Sequence, residues 1–411
     1  MLTSSVSTLT TPLNCPQPIS IHYEKSPTTL LNGASSYLLS ESYSGNNKYV
    51  TSAVARDGRI FAAPYDASKV LAIDPSRNVS YQLSESYSGV VKYQTSAVAS
   101  DGRIFAAPSS ALNVLVIDPS RNVSYQLSEN YSGNTKYRTS AVAPDGRIFA
   151  APYSASKVLV IDPSRNVSYQ LNESYSGDAN YRASVVARDG RIFAAPSSAL
   201  NVLVIDPSRN VSYQLSEDYG SGTFKYWTSA VASDGRIFAA PSNALKVLVI
   251  DPLRNVSYLL SEDYGSATFK YYTSAVAPDG RIFAAPANAP YVLVIDPSRN
   301  VSYQLSESYS GFSKYWTSAV APDGRIFVVP HINPKVLVID PLRNVSYQLS
   351  EDYGFGSSKY FASAVAPDGR IFAAPNWASE VLVVYPGSYR YRTQSPTTMP
   401  THVRIVVYDS S

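Results

Sequence analysis

The sequence predicts an all-β fold, a single eight-bladed β-propeller built from four-stranded antiparallel blades. The first observation is an octapeptide, DGRIFAAP at residues 57–64, which recurs seven more times at intervals of 44 or 45 residues, once as DGRIFVVP. The second is that each copy holds four short strand-forming runs separated by turn residues, with no helical spacing over ten or more residues. Four strands in a repeat of about 40 to 50 residues are typical of propeller blades.

The elements follow one another in the same order within each copy, for example in residues 92–135. TSAVA at 95–99 predicts an inner strand whose small side chains suit a crowded central axis, and the Asp-Gly pair after it is a strong hairpin signal. RIFAA at 103–107 is the second strand and ends at a proline. VLVID at 114–118 is a β-branched third strand, PSRN turns the chain, and VSYQL at 123–127 is the outer strand.

The ends of the chain predict how the ring closes. We expect the propeller to span residues 35–394, with an N-terminal extension at 1–34 and a C-terminal extension at 395–411. SSYLLSE at 35–41 matches the fourth-strand pattern but precedes the first complete blade, so this strand is expected to complete the last blade and to remove an exposed sheet edge. In the alternative, YRYRT at 389–393 is the eighth blade's own outer strand.

The composition is typical of a globular protein and limits the classes of partner. Hydrophobic residues make up 45% of the chain and charged residues 16%, with a net charge of +3. Lys and Arg recur singly and form no basic run, so we expect no nucleic-acid partner. No run of 18 or more apolar residues occurs, so we expect no membrane span.

The sequence also gives weaker expectations about assembly and location. Cys15 is the only cysteine, which excludes an intrachain disulfide. The first residues show no basic end followed by an apolar stretch, so they do not match a signal peptide, and a cytoplasmic location is slightly favoured over secretion. A closed ring of blades is expected to be monomeric.

The repeat also resembles a known blade type. SAVAPDGRIFAAP, followed by VLVIDP, is similar to the blade pattern of NHL and SMP-type propellers, in which an Asp-Gly hairpin joins the two inner strands. It also resembles propeller-repeat proteins of algae and protists that have no characterised activity. The resemblance covers roughly residues 36–386 and implies the fold, but it says little about function.

The copies differ from one another at two loops, and the alternation of strand direction predicts that both loops lie on the same rim. One loop follows the outer strand and the other follows the second strand. The residue just before each inner strand changes most sharply. We call these eight positions the mouth residues: Val50, Gln94, Arg138, Arg182, Trp227, Tyr272, Trp316 and Phe361.

The mouth residues allow two interpretations. If they surround the channel, cations face aromatic rings, and together they form a site in which arginine binds carboxylate or phosphate while the rings bind sugars or apolar groups. His331 and Trp377, on the other variable loop, are predicted to add to this rim. The alternative is that these side chains only plug the channel or pack between blades.

Two further repeated features have structural explanations beside functional ones. The hairpin arginines, such as Arg59, are predicted to pair across strands with the aspartates of the IDP motif, such as Asp74. N-V-S occurs seven times and fits the glycosylation acceptor pattern, although asparagine also suits a tight turn. These asparagines are Asn78, Asn122, Asn166, Asn210, Asn255, Asn300 and Asn344.

No set of catalytic or metal-binding residues is evident from the sequence. The three histidines, His22, His331 and His402, fall in different regions, so no metal site and no cofactor are predicted. We therefore favour a non-catalytic binding or scaffold propeller that recognises a protein partner through its variable rim. A carbohydrate-binding propeller is the alternative, and a hydrolase or lyase with a site at the channel mouth is the third possibility.

Overall fold

The structure, a computed structural model, describes residues 33–356 and 358–387. Over these residues the chain is all-β, and its strands form eight four-stranded antiparallel sheets. The predicted fold class, an eight-bladed β-propeller, is confirmed. The same residues contain no helix that is long and apolar enough to cross a membrane.

The four strands of each blade are ordered from the channel outward as follows. Blade 1 consists of β2 (Ala53–Val54), β3 (Ile60–Ala62), β4 (Leu71–Asp74) and β5 (Val79–Gln82), and blade 2 of β6 (Ala97–Val98), β7 (Ile104–Ala106), β8 (Leu115–Asp118) and β9 (Val123–Gln126). Blade 3 consists of β10 (Ala141–Val142), β11 (Ile148–Ala150), β12 (Leu159–Asp162) and β13 (Val167–Gln170), and blade 4 of β14 (Tyr181–Val186), β15 (Ile192–Pro196), β16 (Leu203–Asp206) and β17 (Val211–Gln214). Blade 5 consists of β18 (Ala230–Val231), β19 (Ile237–Ala239), β20 (Leu248–Asp251) and β21 (Val256–Leu259), and blade 6 of β22 (Tyr271–Val276), β23 (Ile282–Pro286), β24 (Tyr291–Asp296) and β25 (Val301–Ser308). Blade 7 consists of β26 (Tyr315–Val320), β27 (Ile326–Pro330), β28 (Leu337–Asp340) and β29 (Val345–Gln348), and blade 8 of β30 (Tyr360–Val365), β31 (Ile371–Pro375), β32 (Glu380–Tyr385) and β1 (Ser35–Ser42).

The eighth blade takes its outer strand from the beginning of the described chain. Its order is β1-β32-β31-β30, and Leu38 lies opposite Leu382 in the antiparallel register. The pairing covers the outer edge of β32 and ties the first described strand of the ring to the last. The alternative outer strand at 389–393 lies outside the described residues, as do the predicted extensions, apart from residues 33 and 34.

The core lies between the blades. Each apolar cluster joins two consecutive blades: Phe105 and Val116 of blade 2, for example, pack with Ile148 and Leu159 of blade 3. A further cluster joins blade 8 to blade 1 and so closes the ring. Because a blade is covered on both faces, its middle strands are apolar throughout, which explains why VLVI is a continuous run and does not alternate.

The predicted ion pair between Arg59 and Asp74 is wrong. Arg59 Nη2 lies 2.7 Å from Oδ2 of Asp57, because the Asp-Gly turn folds the Asp57 carboxylate back toward the residue two positions later. Asp74 accepts hydrogen bonds from Ser76 Oγ at 2.6 Å and from the Arg77 backbone N–H at 3.2 Å. It therefore stabilises its own turn.

The hairpin arginine also connects neighbouring blades. Arg59 Nη1 donates to Tyr81 Oη of its own blade at 2.7 Å and to Asn122 Oδ1 of the next blade at 2.8 Å. The same bond recurs around the ring and ends with Arg370 of blade 8 donating to Asn78 Oδ1 of blade 1 at 2.9 Å. This bond joins seven of the eight pairs of neighbouring blades at the end of the ring where the hairpins lie. Between blades 7 and 8, Arg325 Nη2 donates to the Pro386 carbonyl.

The seven N-V-S asparagines are the acceptors of these inter-blade bonds. All seven are exposed and adopt a left-handed backbone with φ between 54° and 57°, as the tight-turn interpretation predicts. Their Oδ1 atoms accept from the preceding blade, which is a structural reason for asparagine at this position. Glycosylation of these residues stays a prediction.

A ring of hydroxyl groups joins the inner strands around the channel. In six of the eight junctions a threonine Oγ1 lies 2.7–3.3 Å from the serine Oγ of the next blade, as in Thr95 and Ser140. Blades 4 and 8 carry Ala183 and Ala362 in place of the threonine. The facing hydroxyls, Ser229 Oγ and Ser52 Oγ, are buried and have no hydrogen-bond partner among the described residues.

Seven lysines are buried beside the mouth residues and donate to backbone carbonyl groups. Lys314 Nζ, for example, donates to the carbonyl oxygens of Gly311, Ala287 and Ala289 at 2.8–2.9 Å. Blade 4 carries Asn180 at this position, and its Nδ2 donates to the Ser176 carbonyl at 3.1 Å. Burial lowers the pKa of five of these lysines to about 8: Lys136, Lys225, Lys270, Lys314 and Lys359.

Completing the hydroxyl ring should stabilise the protein. We expect Ala183→Thr and Ala362→Thr each to raise the free energy of unfolding by about 0.5–1.5 kcal/mol, because each supplies a partner for a buried serine hydroxyl. Urea unfolding of the single and double variants measures this. The matched control, Thr95→Ala, opens a third gap and should lower stability by a similar amount. Equal stability of the wild type and all four variants would contradict the assignment.

The buried lysines predict a rise in stability with pH. Their pKa values near 8 in the folded state lie below the value of about 10.4 in an unfolded chain, so between these limits the unfolded state binds more protons and unfolding becomes less favourable as pH rises. Above about pH 10 the trend should reverse, because burial raises the pKa of tyrosines such as Tyr93 and the unfolded chain ionises first. Urea unfolding midpoints at pH 7, 9 and 11 test both the rise and the later fall in stability. A flat curve from pH 7 to 9 would mean that the carbonyl groups hold the ammonium groups charged.

Candidate functional site

The eight mouth residues converge on one cavity of about 500 Å³ at the channel mouth. All eight line it, one from each blade. Arg182, Tyr272, Trp316 and Phe361 lie in the inner strands β14, β22, β26 and β30, while the other four precede the shorter inner strands of their blades. The cavity is therefore a single asymmetric site on the ring axis and is not repeated in each blade.

A buried tyrosine positions each mouth residue. Tyr137 precedes Arg138 and is fully buried; its hydroxyl donates to the Lys157 carbonyl at 3.0 Å and accepts from Gln170 Nε2 at 2.9 Å. Successive side chains on an extended segment point to opposite sides, so the residue after the tyrosine faces the channel. The same tyrosine occurs in every blade, which lets the next residue vary without loss of the core.

Two arginines form one side of the cavity. The Arg138 guanidinium lies 3.9 Å from the ring centre of Tyr153, and the Arg182 guanidinium lies 3.7 Å from the ring centre of Trp227. Burial, followed by the neighbouring charge of Arg138, lowers the pKa of Arg182 to about 10. Both arginines stay charged at neutral pH, so the mouth presents two adjacent cations.

Aromatic rings form the opposite side. Trp227 stacks on Tyr272 with ring centres 4.1 Å apart, and Tyr272 lies 4.4 Å from Trp316, which lies 4.4 Å from Phe361. The rings thus contact one another in chain order across blades 5 to 8. Each keeps a partly exposed surface that lines the cavity, so these side chains pack together and form a wall at the same time.

The other two predicted rim residues do not line the cavity. His331 is buried behind the wall, with its ring centre 4.9 Å from Trp316 and 4.6 Å from Phe361. Its Nδ1 donates to the Ser313 carbonyl at 2.8 Å, and burial lowers the pKa of the imidazole to about 4. Trp377 is exposed, and its Nε1 donates to Asn47 Oδ1 at 2.7 Å.

Sequence reasoning missed five residues that line the cavity. Tyr65 and Tyr153 follow the proline after the second strand in only two copies, and Phe224 and Phe269 precede the lysine in only two others. Asn47 is the fifth. The sequence did contain a signal for the four aromatic residues. Each lies on a variable loop, at a position where the other copies carry a smaller or polar residue.

The opposite end of the ring is built from the near-identical turns. A smaller cavity of about 380 Å³ lies there, lined by the hairpin residues Asp234 and Gly235 and by Pro252 and Leu253 of the outer turn. Both kinds of turn therefore share one end of the blades, as strand direction predicts. In two copies a leucine replaces the serine of this turn, and Leu253 and Leu342 are exposed on this face.

The cavity lining combines cationic, amide and aromatic groups. It contains two guanidinium groups, side-chain amides and aromatic rings, but the lining residues include no carboxylate, histidine or cysteine. Within residues 33–356 and 358–387, no three His, Cys, Asp or Glu side chains lie close enough together to hold a metal ion. Arginine and aromatic groups recognise anions and apolar or planar groups, respectively.

Comparisons with known proteins show the fold. No protein-family model matches the chain, and no curated protein matches it. The propeller of Dos1 is 11% identical, with a TM-score of 0.61 over 88% of this chain and 98% of that one. A streptogramin B lyase is 9% identical, with a TM-score of 0.60 over 87% of this chain and 99% of that one. A catalytically inactive virginiamycin B lyase from Staphylococcus aureus, solved with quinupristin, is 11% identical, with a TM-score of 0.59 over 85% and 99%.

These identities are too low to transfer an activity, and they establish only that the chain is a β-propeller. The resemblance to NHL and SMP-type blades in particular stays a prediction, because the comparisons show the architecture and no sequence family.

The environment of His331 gives a spectroscopic test of the aromatic wall. We expect His331 to stay neutral at pH 5 and Trp316→Ala to raise its imidazole pKa by about one unit or more, because water then reaches the ring. A proton NMR titration of the three histidines measures the shift. Trp377→Ala, which removes an exposed tryptophan from the same face, should leave the His331 pKa unchanged. An unchanged pKa in Trp316→Ala would mean that the wall does not bury the imidazole.

Proposed function

We propose that the chain is a non-catalytic binding propeller that recognises a protein partner through the rim formed by its variable loops. The rim surrounds the mouth cavity, and the opposite face is built from turns that are nearly the same in every blade. Loops carried by a rigid scaffold commonly supply binding specificity. The cations, amides and rings of the cavity lining are groups that bind ligands, and no carboxylate, histidine or cysteine is among the lining residues.

The observation that carries this proposal is the exposed apolar surface of the variable loops. Phe312 is 77% exposed and Phe355 84% exposed, and both lie on the loop after an outer strand. Further exposed apolar side chains lie on the same two kinds of loop: Val90, Leu112, Leu200, Leu245 and Trp377. These seven are half of the fourteen large apolar side chains that are exposed among the described residues, and we place the interface on the face that carries them.

Carbohydrate binding is less well supported. A sugar stacks on the free face of an aromatic ring, but Trp227 and Tyr272 use faces against each other. A multivalent lectin would repeat its site in each blade, whereas the mouth cavity occurs once on the ring axis. The lyases among the structural neighbours share only the fold, so they add no support for a lyase activity.

Affinity capture with paired surface variants tests the proposal. The full chain serves as bait in an extract of its own cells, beside the variant Phe312→Ser/Phe355→Ser. We expect the wild type to retain one protein in stoichiometric amount and the variant to bind it at least about 100-fold more weakly, because two large apolar contacts are lost.

The matched control carries the same kind of change on the opposite face. Leu253→Ser/Leu342→Ser removes two exposed apolar side chains from the turns and should retain the partner in full. Retention of the partner by the rim variant would place the interface elsewhere. Saturable binding of glycans at more than one site per chain, with no protein captured, would instead select the carbohydrate-binding alternative.

A further inference from the structure

Arg138 and Arg182 differ from the hairpin arginines in their ion pairing. Each of the eight hairpin arginines forms an ion pair with the aspartate two residues earlier, at 2.6–2.7 Å. Arg138 and Arg182 form no ion pair with any described residue, although both are partly buried. The fold therefore pairs its repeated, sheltered guanidinium groups with carboxylates but leaves these two without one.

The nearby polar groups do not neutralise the two charges. The carboxylate of Asp178 is close enough to favour the charged form of Arg138, but its Oδ1 accepts a hydrogen bond from Ser154 Oγ. The ring of Tyr153 lies against the Arg138 guanidinium, so it contributes a cation–π contact but no carboxylate. Arg138 Nε is buried and has no partner within the described chain.

Two partly buried cations on adjacent blades are destabilising unless an anion joins them. Packing alone gives no reason to place both arginines on adjacent blades, since Val50 and Gln94 occupy the equivalent positions in blades 1 and 2. An oxyanion that enters the cavity would accept charge-assisted hydrogen bonds from both guanidinium groups. The arrangement therefore favours a ligand with a negative charge at this side of the mouth.

The aromatic side of the cavity indicates which chemical group accompanies the negative charge in the ligand. The wall of Trp227, Tyr272, Trp316 and Phe361 lies across the mouth, and Phe224 and Phe269 extend it towards the rim. A volume of about 500 Å³ suits one or two amino-acid side chains but excludes a folded domain. The ligand should therefore carry an apolar or aromatic group next to its negative charge.

We propose that the mouth receives a segment of the protein partner in which a carboxylate, from its C terminus or from an Asp or Glu side chain, lies beside an apolar or aromatic side chain. The carboxylate lies between Arg138 and Arg182, and the apolar group contacts the aromatic wall. This inference rests on the proposed function, because the segment belongs to the partner that the rim recognises. The inference specifies which chemical groups of the partner bind at the centre of the interface.

A pair of small probes isolates this chemistry from the rest of the interface. N-acetylphenylalanine carries a carboxylate beside a phenyl ring, and N-acetylphenylalanine amide has the same shape without the charge. We expect the acid to bind one site per chain in isothermal titration calorimetry and the amide to bind at least about tenfold more weakly, because charge-assisted hydrogen bonds are lost.

The three tryptophans allow an independent readout. Trp227 and Trp316 line the mouth and Trp377 does not, so in a Trp377→Phe chain the tryptophan fluorescence comes only from the mouth. The acid should change this fluorescence with the same saturation curve that calorimetry gives. Equal affinity for the acid and the amide, or calorimetric binding with no change in fluorescence, would overturn the proposal.

Arginine variants test the assigned residues. Arg138→Gln and Arg182→Gln should each weaken binding of the acid by about tenfold or more, whereas Arg188→Gln, on the opposite face, should bind it as the wild type does. Both mouth variants should keep or raise the urea midpoint, since each removes an unpaired, partly buried charge. A large loss of stability would overturn the proposal by making the arginines structural.

The remaining outcomes separate this inference from the proposed function. Tighter binding of phenyl phosphate than of N-acetylphenylalanine would overturn the assignment to a carboxylate. Failure of the acid to bind, while Phe312→Ser/Phe355→Ser still loses its protein partner, would overturn the inference alone. Binding of the acid together with no protein captured would overturn the proposed function and the protein source of the ligand.

Discussion

The hydrogen bond from a hairpin arginine to the asparagine of the next blade is the constraint on which the ring depends. It joins residues 63 or 64 positions apart, as in Arg59 and Asn122, and its last copy returns from Arg370 to Asn78. Because the same guanidinium also binds its own Asp57, each turn serves two blades. A change in this turn would therefore disturb two interfaces at once. At the other end of the blades the recurring inter-blade bond joins backbone groups, as in the Lys92 N–H that donates to the Tyr65 carbonyl at 3.0 Å. Because this bond does not depend on side chains, the loops at that end are free to differ in sequence.

The channel shows that the repeat is not perfect even inside the scaffold. Alanine replaces threonine in blades 4 and 8, and the two resulting gaps in the hydroxyl ring lie four blades apart. They separate blades 1 to 4 from blades 5 to 8, and the aromatic mouth residues all belong to the second group. The gaps in the hydroxyl ring thus coincide with the two boundaries between halves that present different chemistry at the mouth.

The sequence predicted the fold well because a fixed repeat length, an Asp-Gly hairpin and continuous apolar runs all depend on local geometry and burial. It predicted the mouth residues because they follow a tyrosine that recurs in every blade. The ion pair of Arg59 was assigned wrongly, since strand pairing places Asp74 across from the arginine but does not show which carboxylate the turn directs towards it. Tyr153 and Phe224 were missed because each reaches the cavity from a loop, whose path depends on contacts far away in sequence.

The position of the mouth residues on the axis makes their asymmetry informative. Eight copies of one large side chain cannot occupy the same central space, and eight arginines would repel one another, so some variation is required by sterics and charge alone. Small residues would satisfy that requirement at every position, and separated arginines would lower the repulsion. The chain instead places Arg138 and Arg182 on adjacent blades and fills the other half with stacked rings. Packing against neighbours accounts for the rings, and the rings of Tyr153 and Trp227 partly stabilise the two guanidinium groups. No described carboxylate forms an ion pair with either arginine, so a negatively charged group from outside would supply the charge that the site itself does not.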